Sequence, residues 1–253
     1  MPTSDYPPIS CFTSTYGRTW CLEESIECFL RQDYPGIKQM VILNDYDQQE
    51  LIFSHPEVAV INLKSQIKPL GKKFAANVNM CSHSVLAVWE DDDYFLPWHL
   101  RMAVERMKDG IYHSGVAWVH TKPGSLHKSG NHFHGNLVFT RELYDSVGGY
   151  HPIDNCTVDV SLMGRFTQSV GNYSQHPSPE DMSYIYRWGC GLYHGSGWGT
   201  GINNVSDLAA QSVQHGKAMG KIKTGKIILE PHWREDYVAL ARKAADDERG
   251  EVG

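Results

Sequence analysis

No stretch of this 253-residue sequence approaches the roughly 20 consecutive apolar residues that a membrane span requires, which excludes a transmembrane helix. Basic charge is also in short supply. The 23 Lys and Arg against 29 Asp and Glu leave a formal net charge of -6. That excludes a general nucleic-acid binder, which needs a basic face to neutralise phosphates. A nucleotide ligand stays open, because a divalent cation can supply positive charge locally. The six cysteines at positions 11, 21, 28, 81, 156 and 190 include no C-x-x-C pair, so a zinc site of that kind is absent. Reduced, mostly buried thiols are expected, and with them a cytoplasmic setting. The first residues, Met1 to Pro8, are polar and proline-rich and lack the basic and apolar regions of a secretory signal. No repeat or linker divides the chain, so one domain is expected, with the oligomeric state open.

The first half alternates strand-like and helix-like segments. Ile9 to Thr15 is rich in β-branched and aromatic residues and runs into Tyr16-Gly17-Arg18, a strand followed by a loop. Thr19 is the expected N-cap of a helix over Trp20 to Arg31, where Leu22, Ile26, Phe29 and Leu30 recur at helical spacing with Glu23 and Glu24 in its first turn. Gln39 to Leu43 is a continuous apolar run, as for a strand buried on both faces, and Val58 to Leu63 is a third strand. Gly71 to His83 predicts a helix, Val85 to Trp89 a buried strand, and Pro97 to Met107 another helix. The order predicts an α/β fold, a Rossmann-like mostly parallel central sheet flanked by helices. Further on, strands are expected over Val116 to Thr121 and Asn136 to Thr140, around a His- and Gly-rich stretch. Short helices are expected over Arg141 to Val147 and Asp159 to Phe166, and a strand over Tyr184 to Tyr193. A charged helical tail fills 231–253.

The acidic run Glu90-Asp91-Asp92-Asp93 follows Val85 to Trp89 with no turn residue between them. It therefore caps a core strand, and open α/β sheets bind ligands beyond the carboxyl ends of their strands. Adjacent carboxylates there repel one another and resist desolvation unless a cation offsets them. Oxygen ligands suit a hard ion, Mn²⁺ or Mg²⁺, that also binds substrate phosphates.

The spacing around this run resembles the family 2 glycosyltransferases. Ile9 to Arg18 is similar to their opening V-S-V-I-I-P-T-Y-N-R, and Leu22 to Ile26 followed by Gln32-Asp33-Tyr34-Pro35 is similar to their first helix and its Q-T-Y-P end. Val41 to Asp45 stands where they have I-V-D-D-G-S, Leu70 to Asn77 matches G-x-x-x-A-x-N, and the acidic run matches D-x-D-D. The resemblance implies a GT-A fold over 1–230, with a nucleotide half near 8–110 and an acceptor half near 111–230. It implies a metal-dependent hexosyltransferase that takes a sugar from a nucleotide-diphosphate donor, a UDP-sugar being favoured, to a hydroxyl on a glycan or other acceptor. Thr15, Tyr16 and Arg18 would lie on the donor, and Asn44 or Asp45 would hydrogen-bond the base. Lys73 would lie near the base or diphosphate. Asp92 would hold the metal, with Asp91 or Glu90 reaching the ribose or a metal-bound water.

In the second half, Gly148-Gly149-Tyr150 followed by Thr157-Val158-Asp159 and Arg165-Phe166 is similar to the family's G-G-F/Y…E-D-x-x-L-x-x-R segment, with Val158 in place of the Glu. By that resemblance Asp159 is the general base of an inverting transfer, and His194 completes the metal shell ahead of a glycine-rich loop. His127, His132 and His134 invite a zinc reading, but no fourth ligand is suitably spaced. Two alternatives to an active transferase remain: a sugar-nucleotide- or glycan-binding protein without activity, and a nucleotidyltransferase, for which Thr15 to Arg18 is a poor phosphate loop.

Overall fold

The computed structural model describes residues 6–130, 133–188, 193 and 202–250. A seven-stranded sheet forms its centre. Strands β1 (Ile9–Thr15), β2 (Lys38–Asn44), β4 (Val58–Asn62) and β5 (Val85–Val88) run parallel to one another, and β10 (Leu137–Thr140) is antiparallel to both β5 and β7 (Ile111–Ser114). A short β11 (Ser174–Gln175) closes the far edge in the order β11-β7-β10-β5-β1-β2-β4. Four strands make a second sheet, ordered β6 (Tyr94–Phe95), β12 (Tyr184–Arg187), β8 (Val116–Lys122) and β9 (Ser125–Gly130). Between them, β3 (Gln49–Ile52) and β13 (Gly225–Ile228) form a parallel pair.

Alternation along the central strands divides the core. Cys11, Met40, Ile42 and Ala87 face one side with α1 (Thr19–Leu30), α3 (His99–Glu105) and α7 (Tyr237–Gly250). Phe12, Val41, Leu86 and Val88 face the other with α2 (Leu70–Met80), α4 (Arg141–Ser146) and α5 (Val158–Val170). Both faces are covered, which is why these strands read as continuous apolar runs.

Several expected boundaries shift. Thr19 is the first helical residue of α1 and Arg18 its cap, with no side-chain capping bond. Glu24 is fully buried and turned inward, where Arg187 meets it at 2.9 Å. Pro97 lies outside α3, which starts at His99. The His- and Gly-rich stretch holds β9, and the strand at Tyr184 ends at Arg187. Helix α6 (Val205–Ala218) has no counterpart among the sequence-based expectations. It packs Val213 onto Tyr16 and Tyr46, and Gly17, at φ 78°, leaves room for it, since a Cβ there would stand 2.9 Å from Val213. Among the described cysteines, Cys11, Cys21, Cys28 and Cys81 are buried thiols and Cys156 is half-buried.

Helix α7 packs back onto the core. Tyr237 of α7 stacks on Tyr94 with ring centroids 3.9 Å apart and donates its hydroxyl to Glu24 at 2.7 Å. Glu24 thus joins α1, β12 and α7. Replacing it with Ala would leave the Arg187 guanidinium buried without its counter-charge. A loss of about 3–5 kcal/mol is expected, measurable by urea denaturation.

Candidate active site

The acidic run leaves β5 beneath a cleft of about 640 Å³. Its backbone is pinned to α1 from below. Trp89 Nε1 donates to the Ser25 carbonyl at 3.0 Å, and Ser25 Oγ donates to the Glu90 carbonyl at 3.0 Å. Each of the four carboxylates then finds a partner, and Asp91 and Asp92 share Arg18.

Glu90 reaches into the cleft, where its Oε1 lies 2.5 Å from His134 Nδ1. The other ring nitrogen of His134 is 2.7 Å from the Tyr150 hydroxyl. Asp91 is fully enclosed. It accepts from Thr15 Oγ1 at 2.7 Å and from Arg18 Nε at 3.3 Å, and it forms a second, closer bond with Arg18 Nη2. Burial raises its pKa, Arg18 opposes the rise, and the neighbouring Asp92 adds to it. Asp92 lines the cleft and pairs with Arg18 Nη1. Asp93 accepts from the Tyr184 hydroxyl and from the Arg187 backbone N–H at 2.9 Å, so it anchors β12. Burial and the charge of Asp92 hold the Asp93 pKa well above the ordinary carboxylate value.

The residues expected at the donor separate into two groups. Tyr16, Arg18, Lys73, Glu90, Asp92 and Asp159 line the cleft together. Thr15 and Asp91 stand just behind it, bonded to each other. Asn44 is fully buried: its amide donates to the Gln49 carbonyl at 3.1 Å and to Asn62 Oδ1 at 2.9 Å, and it accepts from the Tyr46 N–H at 3.2 Å, so it braces the turn after β2. Asp45 is equally enclosed. It accepts from the Ile67 N–H at 2.8 Å and pairs with Lys73 Nζ at 2.6 Å, and Lys73 donates also to the Thr15 carbonyl at 2.9 Å. The Lys73–Asp45 pair lies under the Tyr16 ring, 5.6 Å from Lys73 Nζ, and burial followed by the charge of Asp45 pushes the Tyr16 pKa up to about 12.

Across the cleft, Asp159 stands in the first turn of α5, half-buried, with Oδ1 accepting from the Val160 N–H at 2.8 Å. Burial raises its pKa, against the pull of His134. A third wall comes from the second sheet. Tyr184 and Tyr186 project from the same face of β12, and Trp188, just beyond it, lines the cleft with them; Trp188 is 45% exposed. Phe133 packs on Tyr186 with centroids 5.1 Å apart.

His194, His132 and the glycine-rich stretch after His194 lie outside the described residues. Among the described residues, no three His, Cys, Asp or Glu side chains converge as a ready-made metal cage. A hard ion that keeps waters and binds phosphates needs only one or two carboxylates, and Asp92 offers its oxygens to the cleft. The donor set therefore fits Mn²⁺ or Mg²⁺, at a position that the Arg18 guanidinium already contacts.

His134 was not foreseen as part of this site. It opens a 3₁₀ turn, not a strand, and is buried against Phe74 and Tyr150. Burial lowers its pKa, but the hydrogen bond to Glu90 and the charges of Glu90 and Asp159 outweigh that and leave it raised above 6.5. A raised histidine pKa stabilises the fold fully below the unfolded value, and this stability is lost as pH rises through the folded value. Thermal midpoints of the wild type and of Glu90→Gln should therefore differ most near about pH 6 and converge toward about pH 8. A constant gap would show that the pair is not ionised.

No protein-family model matches the chain, and no curated protein matches it in sequence. Its structure is similar to that of the mannosyltransferase PcManGT from Pyrobaculum calidifontis, in complex with GDP-Man and Mn²⁺, at 15% identity over 99% of this chain and 77% of that one, with a TM-score of 0.56. It is also similar to residues 1–349 of S. aureus TarS in complex with UDP, at 13% identity over 72% of this chain, with a TM-score of 0.51. A further crystal structure of TarS residues 1–349 gives 14% identity, 71% coverage of this chain and a TM-score of 0.50. The chain spans 60% of the length of that TarS piece. Likeness at this level of identity establishes the architecture, and the architecture of this chain is the GT-A fold of glycosyltransferases.

Proposed function

We propose that the chain is a metal-dependent glycosyltransferase that moves a sugar from a nucleoside-diphosphate donor to an acceptor hydroxyl with inversion. The observation that carries this reading is the convergence of Asp92, Arg18 and Asp159 on one cleft at the carboxyl end of β5. The fold adds support: similar structures hold GDP-Man with Mn²⁺, UDP, or UDP-GlcNAc. A UDP-sugar is the favoured donor, and the nucleotide half spans about 8–110, with the acceptor half at about 111–230.

When bound, a Mn²⁺ or Mg²⁺ ion at Asp92 supplies charge neutralisation for the leaving diphosphate. Asp91 and Thr15 support Asp92 and Arg18 from behind through their own bonds. Tyr16, over the Lys73–Asp45 pair, borders the base. Glu90, held by His134, faces the ribose or sugar side of the donor. Asp159 takes the proton of the acceptor hydroxyl, and its raised pKa makes it a stronger base than an exposed carboxylate. The acceptor hydroxyl attacks the anomeric carbon from the face opposite the diphosphate, so the configuration inverts. Tyr186 and Trp188 give the acceptor an apolar wall, suited to the C–H face of a sugar ring.

Two measurements test this reading. UDP or GDP with Mn²⁺ should raise the thermal midpoint of the wild type beyond either component alone. Asp159→Asn should lower turnover by about 10²- to 10⁴-fold while that stabilisation persists. Near-normal turnover of the variant would remove Asp159 from the base role. Binding by the wild type with neither transfer nor hydrolysis would point to a sugar-nucleotide-binding protein instead.

A further inference from the structure

Arg18 is the residue that the glycosyltransferase reading leaves least explained. Its guanidinium takes two positions' worth of charge: Nε and Nη2 on Asp91, and Nη1 on Asp92. Its side chain is only 10% exposed, yet it lines the cleft beside Asp92. The ring of Tyr193 covers it at 4.5 Å, and the Tyr193 carbonyl lies 3.4 Å from Nη1.

A guanidinium stays charged at every pH a protein experiences, and its planar fork matches paired carboxylate oxygens. Arg18 therefore solves the repulsion between Asp91 and Asp92 permanently, until something else solves it. A divalent cation held by Asp92 would stand beside a guanidinium that already bonds one oxygen of the same carboxylate. Two cations that close repel each other strongly. They compete for Asp92. Asp91 keeps its bond from Thr15 when Arg18 goes, and the incoming cation takes over the positive charge beside it.

We propose that Arg18 is an exchangeable counter-cation of the acidic run, displaced when the metal arrives and received by the diphosphate of the donor. The inference rests on the metal-dependent reading above. Arg18 extends from the loop between β1 and α1, directly beside the metal position, and a guanidinium that loses a carboxylate partner gains an equally good one in a phosphate. Metal alone would displace Arg18 without bringing it a new phosphate partner. Metal together with a nucleoside diphosphate completes the exchange. Arg18 thereby makes metal and nucleotide depend on each other, and the dependence is reciprocal: each raises the affinity of the other by the same factor.

The test measures binding, not turnover. Free Mn²⁺ is quantified by electron paramagnetic resonance in titrations of the full chain, with and without saturating UDP and, separately, GDP. Wild type, Arg18→Gln and Arg18→Lys are compared, with circular dichroism to check folding. Arg18→Gln should bind Mn²⁺ alone about tenfold more tightly than wild type, and the gain in Mn²⁺ affinity on adding nucleotide should shrink by a comparable factor. Arg18→Lys keeps the charge but not the fork, and should fall between the two. If Arg18→Gln does not fold, Arg18→Lys decides alone: tighter Mn²⁺ binding than wild type supports the exchange, and equal binding overturns it. Mn²⁺ affinity in Arg18→Gln equal to or weaker than wild type, with nucleotide coupling intact, overturns the role of Arg18 and leaves the metal-dependent reading standing. No Mn²⁺ binding by any form, with or without either nucleotide, overturns the metal-dependent reading and the exchange with it.

Discussion

Four carboxylates in succession cannot be crowded at the mouth of a strand unless each is given a partner. That constraint organises the protein. Successive residues point in different directions, so the partners must come from different parts of the chain. The β1–α1 junction supplies Thr15 and Arg18, the 3₁₀ turn before β10 supplies His134, and β12 supplies Tyr184 and the Arg187 backbone. The second sheet is held against the first because Asp93 must be satisfied. Helix α7 is held in turn because Arg187 carries a charge that Glu24 answers, and Glu24 needs Tyr237. Removing one member of such a set leaves a buried charge exposed to low dielectric, which costs far more than the lost bond alone.

The division of labour along the run follows from burial. Asp91 is sealed behind the cleft and Asp93, at its edge, is committed to Tyr184 and the Arg187 backbone, while Glu90 and Asp92 are the more open pair in the cleft. Structure and site are thus interleaved in one tetrapeptide.

The framework of the first half of the chain was legible because its signals are local. Doubly buried strands are apolar without interruption, and β1, β2 and β5 read that way directly. Even the Tyr16-Gly17-Arg18 corner is local chemistry. Gly17 adopts φ 78°, a region glycine and asparagine tolerate best, and asparagine is what the resembling pattern carries there. The acidic run announced itself by charge where charge is costly. What stayed hidden depends on distant contacts. Strands β3 and β13 meet from opposite ends of the chain and have little sequence of their own. Helix α6 is polar on most faces and buries only Val205, Ser206, Val213 and Gly216, so its periodicity is faint. The neighbour pattern of Asn44 gave no sign of the bonds to Gln49 and Asn62 that it makes. His134 carried no signal linking it to Glu90, since nothing in a sequence marks which carboxylate a histidine will face.

Strand β12 has an evolutionary consequence. Ile185 and Arg187 point into the scaffold and hold the two sheets together, whereas Tyr186 and, just beyond the strand, Trp188 point into the cleft. Tyr184 alone belongs to both worlds, through its bond to Asp93. Mutations at 186 and 188 therefore alter the cleft wall while leaving the load on Asp93 and Glu24 untouched. A lineage carrying this strand can drift in what it accepts without drifting in how it folds.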